Sequence, residues 1–454
     1  MRQIESPIAY SAIPDDVTNR AHEAFASDPA ARIAKNAVSA CPIRKVARVP
    51  EALSLDPRTF DVQLSQGDIT NQKRSGRCWM FASLNTMRFR IMKKLNLKSF
   101  ELSQAFPLFW DKYERANWFF QNIIATADEP VTSRNVAFLL LDPLCDGGQW
   151  DMFRSIVKKY GVVPKDAMPE THCSSNTGDM DAFLTRHLRA GAKTLRDMIA
   201  DGADKDALEE KQADLLEQFY RILAICLGEP PVSFEARIRD KDDKLIVSGT
   251  FTPTQFFNEF VDMNLDDFIS VINAPTSDKP YYHSYSVKFL GNIAEDGGVH
   301  YVNLPIDSLK RAAIAQLKDG LPVWFGCDVD QNYLQDDGMM GISTMDADGL
   351  FGVPVMASLD KAARLGYGES LMTHAMVFQG VNLDDDGKPK LWRVENSWGK
   401  DHGHDGYDLM TDDWFSEYVY QVVVDKKYLT DEELAAYNSE PTPLAPWDPM
   451  GALA

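Results

Sequence analysis

Four residues of this chain are spaced so that they could carry out nucleophilic chemistry: Gln72, Cys78, His374 and Asn396. The first two lie in Gln72-Lys73-Arg74-Ser75-Gly76-Arg77-Cys78-Trp79, where a polar, glycine-containing loop runs into an apolar-periodic segment, Trp79 to Ile91. That segment reads as a buried helix with Cys78 at its start. A cysteine at a helix N-terminus meets the positive end of the dipole and backbone N–H groups without intrahelical partners. Both favour the thiolate, the reactive form of cysteine. From six residues upstream, the amide of Gln72 could reach the oxygen of an acyl group held against Cys78, which is the task of an oxyanion donor.

A cysteine nucleophile needs a base and a group that orients the base. His374 heads an apolar run, Ala375-Met376-Val377-Phe378, and Asn396 ends another, Leu391-Trp392-Arg393-Val394-Glu395. Asp384-Asp385-Asp386-Gly387 between them reads as the turn of a hairpin. Such a hairpin sets Asn396 beside His374.

With these residues in place the chain resembles the papain superfamily of cysteine peptidases. Gln72, Cys78, His374 and Asn396 match that family's glutamine, nucleophile, base and asparagine in order and local context. Cys78-Trp79, Asn396-Ser397-Trp398-Gly399, Gly406-Tyr407 and Cys145-Asp146-Gly147-Gly148 are further points of likeness. The resemblance implies an α+β fold with a papain-like two-lobed core, one lobe helical and one β-barrel-like. It also implies that Trp398 shields the Asn396–His374 contact and that Trp79 supports the site.

Departures from the papain pattern narrow the branch. Ser75 stands where secreted members have a cysteine bridged to the Gly-Gly stretch, so Cys145 lacks that partner. Cys78 and His374 are separated by far more than the roughly 130–150 residues expected in papain. The extra length and the ending Trp447-Asp448-Pro449-Met450-Gly451-Ala452-Leu453-Ala454 resemble the bleomycin hydrolase and aminopeptidase C branch. That likeness covers nearly the whole chain. It implies a cysteine aminopeptidase acting on peptides with a free N-terminus through a thiolate–imidazolium pair and an acyl-enzyme. It further implies a homohexamer and a C-terminal tail lying in the cleft, with the Ala454 carboxylate binding the substrate ammonium. A Cys-His-Asn amidase or acyltransferase would use the same residues, and a scaffold with a relic site is the non-enzymatic alternative.

The likeness divides the 454 residues as follows. Residues 1–56 form an N-terminal arm, with Ala21 to Ala34 helix-compatible and Arg44 to Val49 strand-like. Residues 57–170 carry the first part of the core, and residues 171–270 a mostly helical insertion suited to subunit contact. Residues 271–436 carry the second part of the core with His374 and Asn396. Residues 437–454 form the tail, whose prolines favour an extended path. Too little sequence precedes Cys78 for the inhibitory pro-segment of secreted papain relatives, so another restraint is expected.

Composition bounds the remaining classes. A hydrophobic content of 44% fits a soluble globular chain. The start has no signal region, and no run reaches the ~18 apolar residues of a membrane span. Lys and Arg number 47 against 67 Asp and Glu, a formal net charge of −20, which disfavours nucleic acid. Six cysteines without paired spacing suggest free thiols and a cytoplasmic location. Cys41, Cys145, Cys173, Cys226 and Cys327 lack the context of Cys78 and read as structural. No cofactor or metal is expected: His402-Gly403-His404 reads as a surface loop, since two ligands make a poor site. Asn382 to Arg393 starts like a calcium loop, but Arg393 stands where a glutamate is required. Asp328, Asp330, Asp336 and Asp337 read as solvated.

Overall fold

The computed structural model describes residues 12–55, 59–64, 67–355 and 358–453. They fall into two compact units, Met1–Leu55 with Ser343–Ser358, and Asp56–Ile342 with Leu359–Ala454. In the first unit, helices Asp15–Ser27 and Pro29–Ala40 are separated at Asp28. The Asp28 carboxylate accepts from Ala30 and Ala31 and so starts the second helix, with Pro29 at its first position. Arg44 to Val49, expected as a strand, contains instead a short helix, Ile43–Val46. Arg48 contributes a single bridge to Met345. Pro42 at the N-cap presets the turn that a lone strand without a longer partner could not outcompete.

The second unit is mixed α/β around a twelve-stranded sheet. Its strands are β1 (Val62–Gln63), β4 (Phe268–Ile272), β5 (His283–Val287), β6 (Tyr301–Asn303), β7 (Val323–Cys327), β8 (Tyr333–Leu334), β9 (Met339–Met340), β10 (His374–Leu383), β11 (Pro389–Glu395), β12 (Tyr407–Thr411), β13 (Val419–Asp425) and β14 (Thr442–Leu444). They lie in the order β14-β5-β6-β4-β13-β7-β10-β11-β12-β9-β8, with β1 on β10. A separate hairpin joins β2 (Phe234–Arg239) and β3 (Leu245–Phe251).

The central strands are buried on both faces, which is why they read as unbroken apolar runs. Alternate side chains enter different cores: Trp324, Val377 and Val423 pack with the helices, while Phe325, Phe378 and Val422 join Trp392, Met410 and Trp414. The helical side holds Cys78–Leu95, Ala105–Ala125, Trp150–Tyr160, Gly178–Ala200 and Lys205–Leu227. The last two were expected in a helical insertion. Their Leu184, Leu188, Phe219 and Leu223 share one apolar cluster with Cys78 and Trp79. Phe251 to Val271, whose apolar spacing also suits a helix, contains only the turn Pro253–Phe256, a wider turn at Phe257–Val261, and then β4. Its spaced phenylalanines instead form an aromatic cluster of Phe234, Phe251, Phe256 and Phe260. Tertiary packing of aromatics here overrides helical periodicity.

Candidate active site

Cys78 opens the helix Cys78–Leu95, which is buried on nearly every side and ends at Asn96 in the left-handed conformation. No side chain caps its N-terminus. Arg77, at the cap position, sends its guanidinium to Glu170, with Nη1 and Nη2 donating at 3.1 and 2.9 Å. The first-turn N–H groups are thereby left facing Cys78 rather than a capping oxygen.

The loop before Cys78 is held without a covalent tie. Asp146 Oδ2 accepts from the Gly76 N–H at 2.9 Å and also from the Thr177 hydroxyl. Its Oδ1 takes Lys112 Nζ at 2.7 Å, and its carbonyl takes Trp79 Nε1 at 2.7 Å. Burial opposes the Asp146 charge, but Lys112 more than offsets this and holds the carboxyl well below the usual range. This network spans the gap left by Ser75, and Cys145 is a free thiol. Gly148 packs so close that a Cβ there would lie 2.5 Å from the Trp79 ring, so only glycine fits.

His374 and Asn396 come from the expected hairpin. β10 and β11 pair antiparallel, with Val377 opposite Glu395, and the turn closes through Gly387 N–H to Asp384 carbonyl at 2.9 Å. His374 therefore starts one strand where Asn396 leaves the other. His374 Nε2 lies 3.0 Å from Asn396 Oδ1, which also accepts from the Ser397 N–H at 2.8 Å. Trp398 covers the imidazole, with ring centroids 4.8 Å apart at 35°. Cys78 sits against the same strand, its sulfur receiving the backbone N–H of Ala375. The residue after the histidine thus touches the thiol.

Gln72 is buried and tied to the asparagine strand. Its backbone N–H donates to the Ser397 carbonyl at 2.8 Å, its Oε1 accepts from Ser397 Oγ at 2.6 Å, and its Nε2 donates to the Ser75 carbonyl at 2.6 Å. In the sequence Ser397 stands out only as part of Asn-Ser-Trp-Gly. Its hydroxyl turns out to set the Gln72 amide, leaving one amide hydrogen for another acceptor.

At the expected thiolate, burial and the helix N-terminus act in opposite directions. Burial pushes the Cys78 thiol up to about 12, although backbone donors at Ala375, Trp79 and Cys78 itself pull the other way. Burial likewise pushes His374 down to about 4, against the opposing effects of Asn396 and Asp408. The helix N-terminus acts as the sequence suggested, but desolvation of a fully enclosed sulfur outweighs it. Burial thus works against the charged form of each group.

Two further expectations change. His402 is not part of a solvated loop: its Nε2 lies 3.3 Å from Asp408 and meets the Tyr333 hydroxyl, and its ring packs on Trp398. Asp328 is buried, accepting from Ser370 Oγ at 2.7 Å and Gln331 Nε2 at 3.1 Å. Remote partners decide both cases, Tyr333 of β8 for His402 and Ser370 of the loop before β10 for Asp328. Among the described residues no group of three or more His, Cys, Asp or Glu could hold a metal, and no helix is long and apolar enough to cross a membrane.

The tail runs along the second unit. β14 pairs with β5, Asp448 meets Lys279 at 2.9 Å, and Met450 is buried. The Ala452 carbonyl accepts from Gln149 Nε2 at 2.6 Å, next to the Gly148 that abuts Trp79. Ala454 lies outside the described residues.

A cysteine opening a buried helix, beside a His–Asn pair on a hairpin of a mixed sheet, is the arrangement of the papain-like class. The Peptidase C1-like family model matches residues 12–451. The chain is 51% identical over 395 residues to aminopeptidase C of Streptococcus thermophilus, covering 87% of this chain and 88% of that protein. It is 45% identical over 442 residues to aminopeptidase C of Lactococcus lactis subsp. lactis, covering 97% and 100%. It is 46% identical over 392 residues to bleomycin hydrolase of Gallus gallus, covering 85% and 86%. The crystal structure of PepW from Lactobacillus rhamnosis superposes with a TM-score of 0.95 at 46% identity, covering 98% of this chain and 100% of that one. The chain belongs to the Peptidase C1-like family, in the branch of aminopeptidase C and bleomycin hydrolase.

The lowered His374 value has a consequence for stability. The unfolded ring takes up a proton as pH falls through 6.5, whereas the folded ring resists until about 4. Folding is therefore weakened as pH drops between these values. From pH 7 to pH 5, His374 should account for a loss of roughly 2 kcal/mol. Denaturant unfolding of the wild type and His374→Asn at both pH values checks this: the variant should lose less by about that amount, and equal losses would contradict it.

Proposed function

We propose that this chain is a cytoplasmic cysteine aminopeptidase that removes N-terminal residues from peptides, with Cys78 as nucleophile, His374 as base and acid, Asn396 as orienting group and Gln72 as oxyanion donor. The observation that carries this reading is the junction of Cys78 with the His374–Asn396 pair. Asn396 occupies His374 Nε2, which leaves Nδ1 as the nitrogen for the Cys78 proton. Transfer of that proton creates thiolate and imidazolium together, so the site gains no net charge as the sulfur attacks the scissile carbonyl. The Gln72 amide hydrogen not used by Ser75 and the Cys78 N–H bind the resulting oxyanion. His374 then protonates the leaving amine, and water, activated by the same ring, releases the acyl-enzyme. Trp398 over the imidazole limits water at the His374–Asn396 bond. The six free thiols fit a reducing compartment.

The two apolar clusters are read as the cores of two lobes, with residues 57–170 and 271–436 as the two parts of the papain-like core and residues 1–56 as an arm. Turnover of a fluorogenic aminoacyl amide tests the roles. Cys78→Ser should abolish it with circular dichroism unchanged, and His374→Ala should cost nearly as much because the pair acts as a unit. Gln72→Ala should lower the chemical step by roughly 10²–10³. Asn396→Ala should cost less than His374→Ala, and the reverse order would invalidate these roles. Amine-dependent transfer in place of hydrolysis would indicate an acyltransferase.

Selection of a free N-terminus is assigned to the tail. The Gln149–Ala452 bond and the half-buried Leu453 hold its described end against the stretch beside Trp79. On this reading the Ala454 carboxylate pairs with the substrate ammonium, and the tail fills the subsites an endopeptidase would use. Deleting residues 451–454 should weaken aminopeptidase activity and admit N-terminally blocked peptides to internal cleavage. An undiminished preference for free amino termini would rule the mechanism out.

The chain is further read as a closed homohexamer whose chamber restricts access to peptides. Supporting this, Phe183, Ile225 and Val232 of the 171–270 segment are 62%, 74% and 86% exposed, and Ile33 of the arm is 68% exposed. Scattered singly, such residues are common on monomers as well, so the measured mass decides. Light scattering should give about six times the 51.0 kDa chain mass, and a monomer at micromolar concentration would refute the ring.

A further inference from the structure

A carboxylate stands directly behind Asn396. Asp408 lies on β12 opposite Val394 of β11, and its side chain is wholly buried. Its Oδ2 accepts from Asn396 Nδ2 at 2.9 Å, and its Oδ1 lies 3.3 Å from His402 Nε2, the nitrogen that also meets the Tyr333 hydroxyl. Gly338 and Gly403 close over it: a Cβ at either would lie 2.9 or 2.6 Å from Oδ1. The carboxylate is therefore packed in place.

We propose that Asp408 is a positioning residue for hydrolysis, fixing which end of the Asn396 amide faces His374. The inference rests on the assignment of Cys78 and His374 as the reacting pair. The two ends of a primary amide have nearly the same shape but opposite hydrogen-bonding character. With the oxygen toward His374, the ring carries its proton on Nε2 and presents a bare Nδ1 that can take the Cys78 proton. With the NH₂ toward His374, Nε2 must accept and the proton sits on Nδ1, where it blocks that transfer. A carboxylate only accepts, so Asp408 pairs only with the NH₂ end and turns the oxygen to His374. The Ser397 N–H marks the oxygen end from the other side. The wrong orientation would place carbonyl oxygen against carboxylate and amide hydrogen against the Ser397 N–H at once.

The carboxylate also acts on His374 through space, favouring the imidazolium that forms when the Cys78 proton arrives. The charged or titratable groups acting on His374 are Asp408, His402 and Asp330, and Cys78 lies against Ala375, the next residue of the strand. Those facing Asp408 are His402 and Tyr333. Asp330 assists Asp408, while burial and His402 oppose both.

The test is Asp408→Asn, which keeps the shape, removes the charge and can present either end to Asn396. Rates are normalised to the titre of Cys78 that iodoacetamide alkylates. Per titrated site, kcat should fall by between about tenfold and a hundredfold, less than the roughly 10²–10⁴ that a general base itself contributes, with KM changed less than about threefold. The acidic limb of kcat/KM should move to lower pH, because the protonated ring has lost a favourable charge and forms only at lower pH. In an Asn396→Ala background the same substitution should cost less than about twofold, since its target is gone. A residue needed only for packing would lower the active titre and leave the pH profile of the titrated sites unmoved. If Asp408→Asn does not fold, Asp408→Ser carries the same expectations. Wild-type kcat with an unmoved profile, or an undiminished loss in the Asn396→Ala background, would overturn the proposal. Wild-type activity that survives complete alkylation of Cys78 would instead overturn the assignment of the nucleophile.

Discussion

The site depends on one buried ion pair, Arg88 with Glu395. The guanidinium is on the helix that Cys78 opens, and the carboxylate is the residue before Asn396. Arg88 Nη2 meets Glu395 Oε1 at 2.6 Å, with both side chains almost fully enclosed. Asn85 donates to the same oxygen at 2.8 Å, and Gln379 of β10 donates to Oε2 at 2.8 Å. One carboxylate thus gathers the cysteine helix, the histidine strand and the asparagine strand. Removing either partner from such a pair leaves an uncompensated buried charge and costs about 3–5 kcal/mol. An apolar pair of equal volume could hold the same elements together, but not at a fixed register. Hydrogen bonds tolerate errors of only a few tenths of an ångström, so what the ion pair contributes is better read as registry than as net stability.

The same logic repeats around the nucleophile. Gln72 is set by Ser397, the nucleophile loop by Asp146 with Lys112, and the Asn396 amide by Asp408. In each case a residue expected to touch substrate is held by a buried polar group from a different element. Such networks are costly when half satisfied, because a low dielectric strengthens both the made bond and the missing one. Here each of these bonds joins a site residue to its holding group at one fixed atom, which gives thoroughly enclosed groups a single orientation.

Enclosure also sets the chemistry. A helix N-terminus favours thiolate, yet burial of Cys78 and His374 works against a charge on either. Moving one proton between them changes the site from two neutral groups to an internal ion pair without importing charge.

The sequence by itself determined the local chemistry: a cysteine at the start of an apolar helix, a histidine and an asparagine at the ends of two runs joined by a turn, and a glutamine six residues before the cysteine. These were legible because turn residues, apolar periodicity and motif spacing act over short stretches. It failed where the deciding partner was remote. Arg44 to Val49 could not outbid the turn at Pro42, and Phe251 to Val271 exchanged helical spacing for an aromatic cluster. Asp408 and His402 were charged or polar residues near Gly406-Tyr407 with nothing local to mark them as buried. Only the pairing of β12 with β11 brought Asp408 behind Asn396, and only enclosure by the completed sheet and helices made desolvation outweigh the helix dipole at Cys78. Burial is a property of everything packed around a residue, and no short stretch of sequence carries it.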